Sequence, residues 1–405
     1  MTARMQAQPQ PNLPFVDIGG RARHLAWLLE LTQIPSAAGA EDRVIAWIRR
    51  WCTERPGVRI EEDPHGNLTL SMQNEPEGRP LYLTAHLDHP AFVVDDVPAF
   101  DTVELTFRGG VMTDYFKGTA VLIHTEQGVR RATISGKADL DRPTVFEHWY
   151  ATLDENGPTP RRGDVAVWDL PAAELRDGLV HTLACDDLAA LAAALAAFEV
   201  LLGRPGGPGF PVRVLCTRAE EIGFIGAIGA CRSRTVPLDS RVIALENSRS
   251  FADSPIGGGP VVRVGDRVSV FSPTLTDAIA MRAEEIAGGA ASVTASQKLA
   301  DLPAWKWQRK LMAGGACEAS VFCHYGYEAT CVCLPLGNYH NMGDLAAVQA
   351  GTNPTPPKIE REFISLGDFE GMVDLLIACG IRLGESGKVA TLVGKLWDEK
   401  CFVLR

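Results

Sequence analysis

Several apolar runs of strand length in this chain stop on a histidine or a carboxylate. Leu81-Tyr82-Leu83-Thr84-Ala85 runs into His86, Val212 to Thr217 is followed by Glu220-Glu221, and Val242 to Leu245 ends at Glu246. An unbroken apolar strand has to be covered on both faces, which is the condition of a parallel sheet held between helices. Helical stretches fall between these runs: Asp187 to about Leu202, a second starting near Gly223, and Pro273 to Ile286. Such alternation implies an α/β fold with a mostly parallel sheet flanked by helices. In these sheets ligands collect at the carboxyl ends of the strands, where the polar residues stand here.

The rest of the chain is organised around that sheet. Residues 20–52 read as helical from Leu25, Leu28, Leu29 and Val44, Ile45, Ile48, with a break at Ile34-Pro35-Ser36. Val58 to Ile60 and Leu68 to Leu70 are short strands around the turn Asp63 to Asn67. From about Phe92 to Leu179 helical periodicity disappears. Short β-rich pieces replace it: Val103 to Phe107, Thr119 to His124, Arg131 to Ile134 and Val165 to Trp168. The spacing predicts a polar, disordered tail over 1–19, a catalytic α/β domain built from 20–91 and 180–405, and a small β domain inserted over 92–179. Cys331 to Leu334 adds a strand, and Phe369 to Arg382 reads as a closing amphipathic helix.

Composition narrows the function classes. A net charge of -11 argues against nucleic acid as a partner, which calls for a basic face. The apolar run Leu188 to Leu202 carries Glu199 and starts directly after two aspartates; it falls short of the ~20 residues of a membrane span and reads as a buried helix. Met1 to Pro14 contains no apolar core of a signal peptide. The ten cysteines are scattered through core-like segments, the pattern of reduced thiols in a cytoplasmic protein. Neither a membrane nor a nucleic-acid partner is therefore expected.

The chemistry lies in His86-Leu87-Asp88, Asp186-Asp187, Glu220-Glu221, Glu246 and His340. Each piece alone has an ordinary reading. Asp-Asp before a helix is a cap, Glu-Glu a solvated helix start, and His-x-Asp a polar pair. Together, at successive strand ends, they make a set of imidazole and carboxylate ligands for divalent metal. A pair of ions also explains why like charges gather in a low-dielectric cleft. Asp88 is placed to orient His86, and Asp186 to bridge two ions. One of Glu220 and Glu221 would bind metal while the other takes a proton from a metal-activated water and passes it to the leaving amine. Cys331-Val332-Cys333 with Cys323 and His324 suits core burial better than a structural zinc site, because no CxxC pair is present. His89, His124, His148 and His181 show no partner pattern and read as structural or surface residues.

With these residues assembled, the chain resembles the co-catalytic metallo-aminopeptidases of the glutamyl aminopeptidase and tetrahedral (TET) aminopeptidase family. The likeness is carried by Leu31 to Ser36 with Glu41-Asp42, Asp63-Pro64-His65-Gly66-Asn67, Ala85-His86-Leu87-Asp88, Ala184-Cys185-Asp186-Asp187, Ala219-Glu220-Glu221-Ile222-Gly223, Gly257 to Pro260, Gly314-Gly315 and Tyr339-His340. Lys117-Gly118 through Thr125, and Arg162 to Val165, are similar to the β-barrel that this family inserts between its first two ligands.

The resemblance implies a two-metal aminopeptidase acting on peptides. His86, Asp186 and Glu246 would hold one ion, and Asp186, Glu221 and His340 the other. Glu220 would be the general base, with Asp88 and Asp187 supporting the ligands. Two divalent ions are expected, zinc first, with cobalt or manganese as alternatives, in a homo-oligomer of dimer size or larger. The alternatives are an amidase, deacylase or carboxypeptidase of the same clan, or a catalytically impaired metal-binding homologue. Four departures from the family pattern bear on substrate and rate: Leu188-Ala189-Ala190 after the aspartates, Ala316-Cys317-Glu318 after the late glycines, His89-Pro90, and Glu246 in the place of a frequent Asp.

Overall fold

The computed structural model describes residues 15–139, 143–289, 304–384 and 388–404. The tail expected over 1–19 lies outside the described residues up to position 14. Helix α1 (Ile18–Leu31) begins inside that stretch, because the Asp17 carboxylate accepts from the Gly20 N–H at 2.6 Å and caps it. Helix α2 (Asp42–Thr53) follows the predicted break. Strands β1 (Val58–Glu62) and β2 (Leu68–Met72) then pair antiparallel, and β3 (Leu81–His86) enters the centre of the molecule.

The inserted region closes a six-stranded barrel. Its strands are β4 (Ala91–Ala99), β5 (Thr102–Arg108), β6 (Ala120–Thr125), β7 (Gly128–Lys137), β8 (Glu147–Leu153) and β9 (Val165–Trp168), in the order β4-β5-β8-β7-β6-β9. Phe92, Phe107, Phe116, Trp149 and Trp168 fill it, with ring centroids 4.7–5.5 Å apart between neighbours such as Phe107–Phe116 and Phe116–Trp168. The following strands β10 (Glu174–Arg176) and β11 (Leu179–Thr182) leave the barrel. They join β17 (Glu362–Ser365) in a separate three-stranded sheet.

The remaining elements complete the α/β part. They are α3 (Leu188–Gly203), β12 (Val212–Thr217), α4 (Ile225–Ser233), β13 (Arg241–Arg249), β14 (Val261–Gly265), α5 (Pro273–Ala287), β15 (Gln308–Leu311), α6 (Glu318–His324), β16 (Glu328–Leu336), α7 (Leu345–Ala350), α8 (Leu366–Ile381) and α9 (Lys388–Lys400). The eight-stranded sheet runs β1-β2-β12-β3-β13-β16-β14-β15, and its middle strands β12, β3, β13 and β16 are parallel. Every residue of β3 is buried. Leu81, Leu83 and Ala85 face the large core that holds α3 and α8, while Tyr82 faces a second cluster with Ala227, Ala230 and Phe322 of α4 and α6. That two-sided cover is what the apolar run demanded.

Two expectations shift. β13 continues three residues past Glu246 because it pairs with β16 along its whole length, so Glu246 sits within the strand. Helix α8 is buried over most of its surface rather than amphipathic, since it packs against both α3 and α5; the last described helix is α9. No described helix is long and apolar enough to cross a membrane.

Candidate metal centre

The carboxyl ends of β3 and β12, the carboxyl half of β13 and the loops before α3 and after β16 converge on a cavity of about 610 Å³. His86, Asp186, Glu220, Glu221, Glu246 and His340 all line it. His86 ends β3 and donates from Nδ1 to the main-chain carbonyl of Asp88 at 3.0 Å. Its Nε2 then faces Asp186 Oδ1 at 3.4 Å and Glu220 Oε2 at 3.9 Å. His340 repeats this from the opposite wall. Its Nδ1 donates to the Gly110 carbonyl at 2.7 Å, and its Nε2 lies 3.5 Å from Asp186 Oδ2 and 3.4 Å from Glu221 Oε1.

An imidazole that donates from Nδ1 carries, when neutral, a lone pair on Nε2. A lone pair facing carboxylate oxygens requires a positive charge between them. Ligand atoms ~2.0–2.2 Å from a tetrahedral ion lie about 3.3–3.6 Å from one another, which brackets the 3.4 and 3.5 Å separations at Asp186 and Glu221. Asp186 Oδ1, Glu221 Oε1 and Glu246 Oε1 are buried oxygens without a hydrogen-bond partner. Two adjoining groups of candidate ligands, His86/Asp186/Asp187/Glu246 and Asp186/Glu221/His340, share Asp186. The donor set therefore fits divalent metal.

The electrostatics agree. Burial, together with repulsion from neighbouring carboxylates, pushes the Glu221 and Glu246 carboxyls well above the usual range. Burial does the same to Glu220, against the pull of His86. Burial also resists ionising Asp186, but His340 and His86 outweigh it and hold that carboxyl below the usual range. For His86, burial disfavours the imidazolium, yet Glu220, Asp186 and Asp88 raise its pKa well above the ordinary value. A cation placed among these groups removes the conflict.

The supporting residues do more than expected. The Asp88 carboxylate stands 3.5 Å from His86 Nδ1, but its firm contacts are with the N–H groups of Glu220 and Glu221, both at 3.0 Å. Glu220 and Glu221 lie in a turn beyond the end of β12, not on a strand, and Asp88 shapes that turn. Asp187 accepts from Asn247 Nδ2 at 2.9 Å and from the His86 N–H at 3.2 Å, tying β3 to β13.

Two supporting residues, His89 and Glu362, were not read from the sequence as part of the site. His89 is buried, with Nδ1 2.6 Å from the Asp186 carbonyl and Nε2 2.9 Å from Asn341 Oδ1. Its adjacency to His86-Leu87-Asp88 was the available signal. Glu362 of β17 accepts from the N–H groups of Cys185 (2.7 Å), Asp186 (3.1 Å) and His340 (2.8 Å), and so fastens two ligand loops at once. Nothing near Glu362 in the sequence announces this. Glu362→Ala leaves three buried donors without their acceptor and is expected to cost about 3 kcal/mol or more. Thermal unfolding checks it: an unchanged midpoint removes Glu362 from the support of the site.

A cavity with two imidazoles and a crowd of buried carboxylates at the carboxyl edge of an α/β sheet defines a metallohydrolase class of site. Residues 159–288, which include Asp186, Asp187, Glu220, Glu221 and Glu246, match the M42 glutamyl aminopeptidase family. Solved structures share the fold. The Pyrococcus horikoshii TET1 peptidase is 22% identical, over 90% of this chain and 100% of its own, with a TM-score of 0.68. The aminopeptidase APDkam598 of Desulfurococcus kamchatkensis is 19% identical over 89% of this chain and 95% of its own, TM-score 0.68. The TET aminopeptidase of a Thaumarchaeota archaeon is 18% identical over 92% and 99%, TM-score 0.68. No curated protein matches the chain. The chain thus matches the M42 glutamyl aminopeptidase family over residues 159–288 and shares the fold of TET aminopeptidases along most of its length.

Proposed function

We propose that this protein is a two-metal aminopeptidase that removes N-terminal residues from peptides. The observation that carries the reading is Asp186 set between two imidazoles, one oxygen toward each Nε2, at 3.4 and 3.5 Å. His86, Asp186 and Glu246 would hold one divalent ion, and Asp186, Glu221 and His340 the other. Zinc suits this oxygen and nitrogen donor set, and cobalt or manganese also fit. When bound, the ions lower the pKa of water and polarise the scissile carbonyl.

The chain's own groups do the rest. Glu220 lines the cavity and makes no salt bridge shorter than its 3.9 Å approach to His86. It takes the proton of the attacking water and delivers it to the leaving amine. Asp88 fixes the turn that aims it. Free-amine peptides, N-acylated peptides and peptides cleaved from the carboxyl end separate this activity from a deacylase or a carboxypeptidase. Cleavage of the blocked substrates, with free-amine peptides left intact, would reject it.

One wall of the cavity favours an acidic first residue. Arg263 is buried, donates to Ser248 Oγ at 3.2 Å, and leaves Nε unpartnered. Among the described residues no carboxylate forms an ion pair with it. Glu246 attracts this buried guanidinium only through space, and a substrate carboxylate would give it a direct ion pair. The family description, glutamyl aminopeptidase, supports the same preference. Arg263→Met is expected to lower kcat/KM for glutamyl relative to leucyl amides by roughly a hundredfold. An unchanged ratio rules out Arg263 as the selector. The Pyrococcus peptidase assembles into a tetrahedron or an octahedral shell, and a homo-oligomer is proposed here. A cytoplasmic location is proposed from the free cysteines, eight of them buried.

A further inference from the structure

Helix α9 and the turn after it carry an apolar face that this chain does not cover. Val389, Leu392, Val393, Leu396 and Trp397 recur at spacings of three and four and are 65%, 54%, 57%, 41% and 62% exposed. Phe402, Val403 and Leu404 extend the face and are more exposed still. Every residue of α9 whose burial is described is exposed. The Lys395–Glu399 ion pair, 3.8 Å, flanks the stripe rather than crossing it. An isolated helix of this length is marginal in water, so its stability has to come from packing that stripe against something.

Size and charge indicate the occupant. The exposed side chains leave apolar surface on the order of 800 Å², which is more than the few hundred Å² a monomer usually shows in one patch and matches one partner's share of a standard interface. Elsewhere among the described residues the large exposed apolar groups include Phe100, Val145 and Leu238, and a smaller group of Val270 and Leu311 beside Gly265. The net charge of -11 disfavours an anionic lipid surface, despite the interfacial look of Trp397. A self-complementary stripe needs only its own copy across a two-fold axis.

We infer that α9 is a self-association element, pairing with α9 of a second copy through Val389, Leu392, Val393, Leu396 and Trp397. This contact stands apart from the peptidase reading, since it touches no residue of the cavity. The test uses the full-length chain carrying Val393→Cys with Cys401→Ser, oxidised with copper phenanthroline. A covalent dimer is expected on non-reducing gels. It is lost when Leu392→Glu and Leu396→Glu are added, while glutamyl amide hydrolysis is retained. A surface control, Glu77→Cys with Cys401→Ser, reports random collision. Dimer no more abundant than in that control overturns the inference. So does dimer that survives the two glutamates, or flotation of the parent chain with neutral phosphatidylcholine vesicles that those glutamates abolish.

Discussion

Glu220→Gln is expected to leave a folded, metal-loaded protein whose kcat falls by roughly 10² to 10⁴, the share that a positioned general base supplies. The amide keeps the volume of the side chain and removes only its ability to take a proton. The Glu220 N–H still donates to Asp88, so the turn that holds the side chain stays in place. Three measurements decide it together: kcat on a glutamyl amide, metal content by mass spectrometry, and the circular dichroism spectrum. An unchanged kcat with full metal removes Glu220 from the proton-transfer role. Loss of metal would instead make it a ligand.

The second large effect concerns Asp186. Its two oxygens face different imidazoles, so Asp186→Ala is expected to weaken both ions together, whereas Glu246→Ala weakens one. Activity should vanish in the first variant, and metal stoichiometry should fall toward zero. Removal of metal by a chelator should lower the unfolding midpoint of the parent, because ions that bind only the folded chain stabilise it by mass action. The metal-free carboxyls of Glu221 and Glu246 are pushed up by burial and repulsion. Loading metal therefore expels protons, and affinity should drop as pH falls. If Asp186→Ala retains one full equivalent of tightly held metal, the shared-ligand arrangement is wrong.

The sequence exposed those parts of the molecule whose physics is local. The continuous burial of β3 shows in Leu81 to Ala85, and the all-apolar helix α3 shows in its alanines and leucines. Strands β4 and β8 did not show. β4 carries Asp95-Asp96 and Pro98, and the polar start of β8, Glu147-His148, masks its alternation. The ligands themselves stood out because charged residues interrupt apolar runs. His340 was named with them, but it occupies a short turn with φ of 54° rather than a strand end, and its place in one ion's ligand set came from the family resemblance. Glu362, Asn247 and Asn341 were invisible for a related reason. Their partners lie on segments distant in the chain: Glu362 meets the Asp186 N–H 176 residues away, and Asn341 donates to the Leu183 carbonyl across 158. Glu246 was legible as a residue but misplaced along its strand, because the length of β13 is set by its neighbour β16.

The Gly110 carbonyl that fixes the His340 ring lies in the segment between β5 and β6, on the barrel side of the chain. Tyr115, from the same segment, donates from its hydroxyl to the Gly343 carbonyl at 2.7 Å, three residues past that histidine. Without the insert, His340 would lose the acceptor that holds its Nδ1 and keep only its stacking on Tyr339 and its approach to Asp186 and Glu221. The insert works as a jig: it sets the angle of a tool that it does not itself carry, and a rearrangement of the barrel would be felt first as a change in how firmly one imidazole is held.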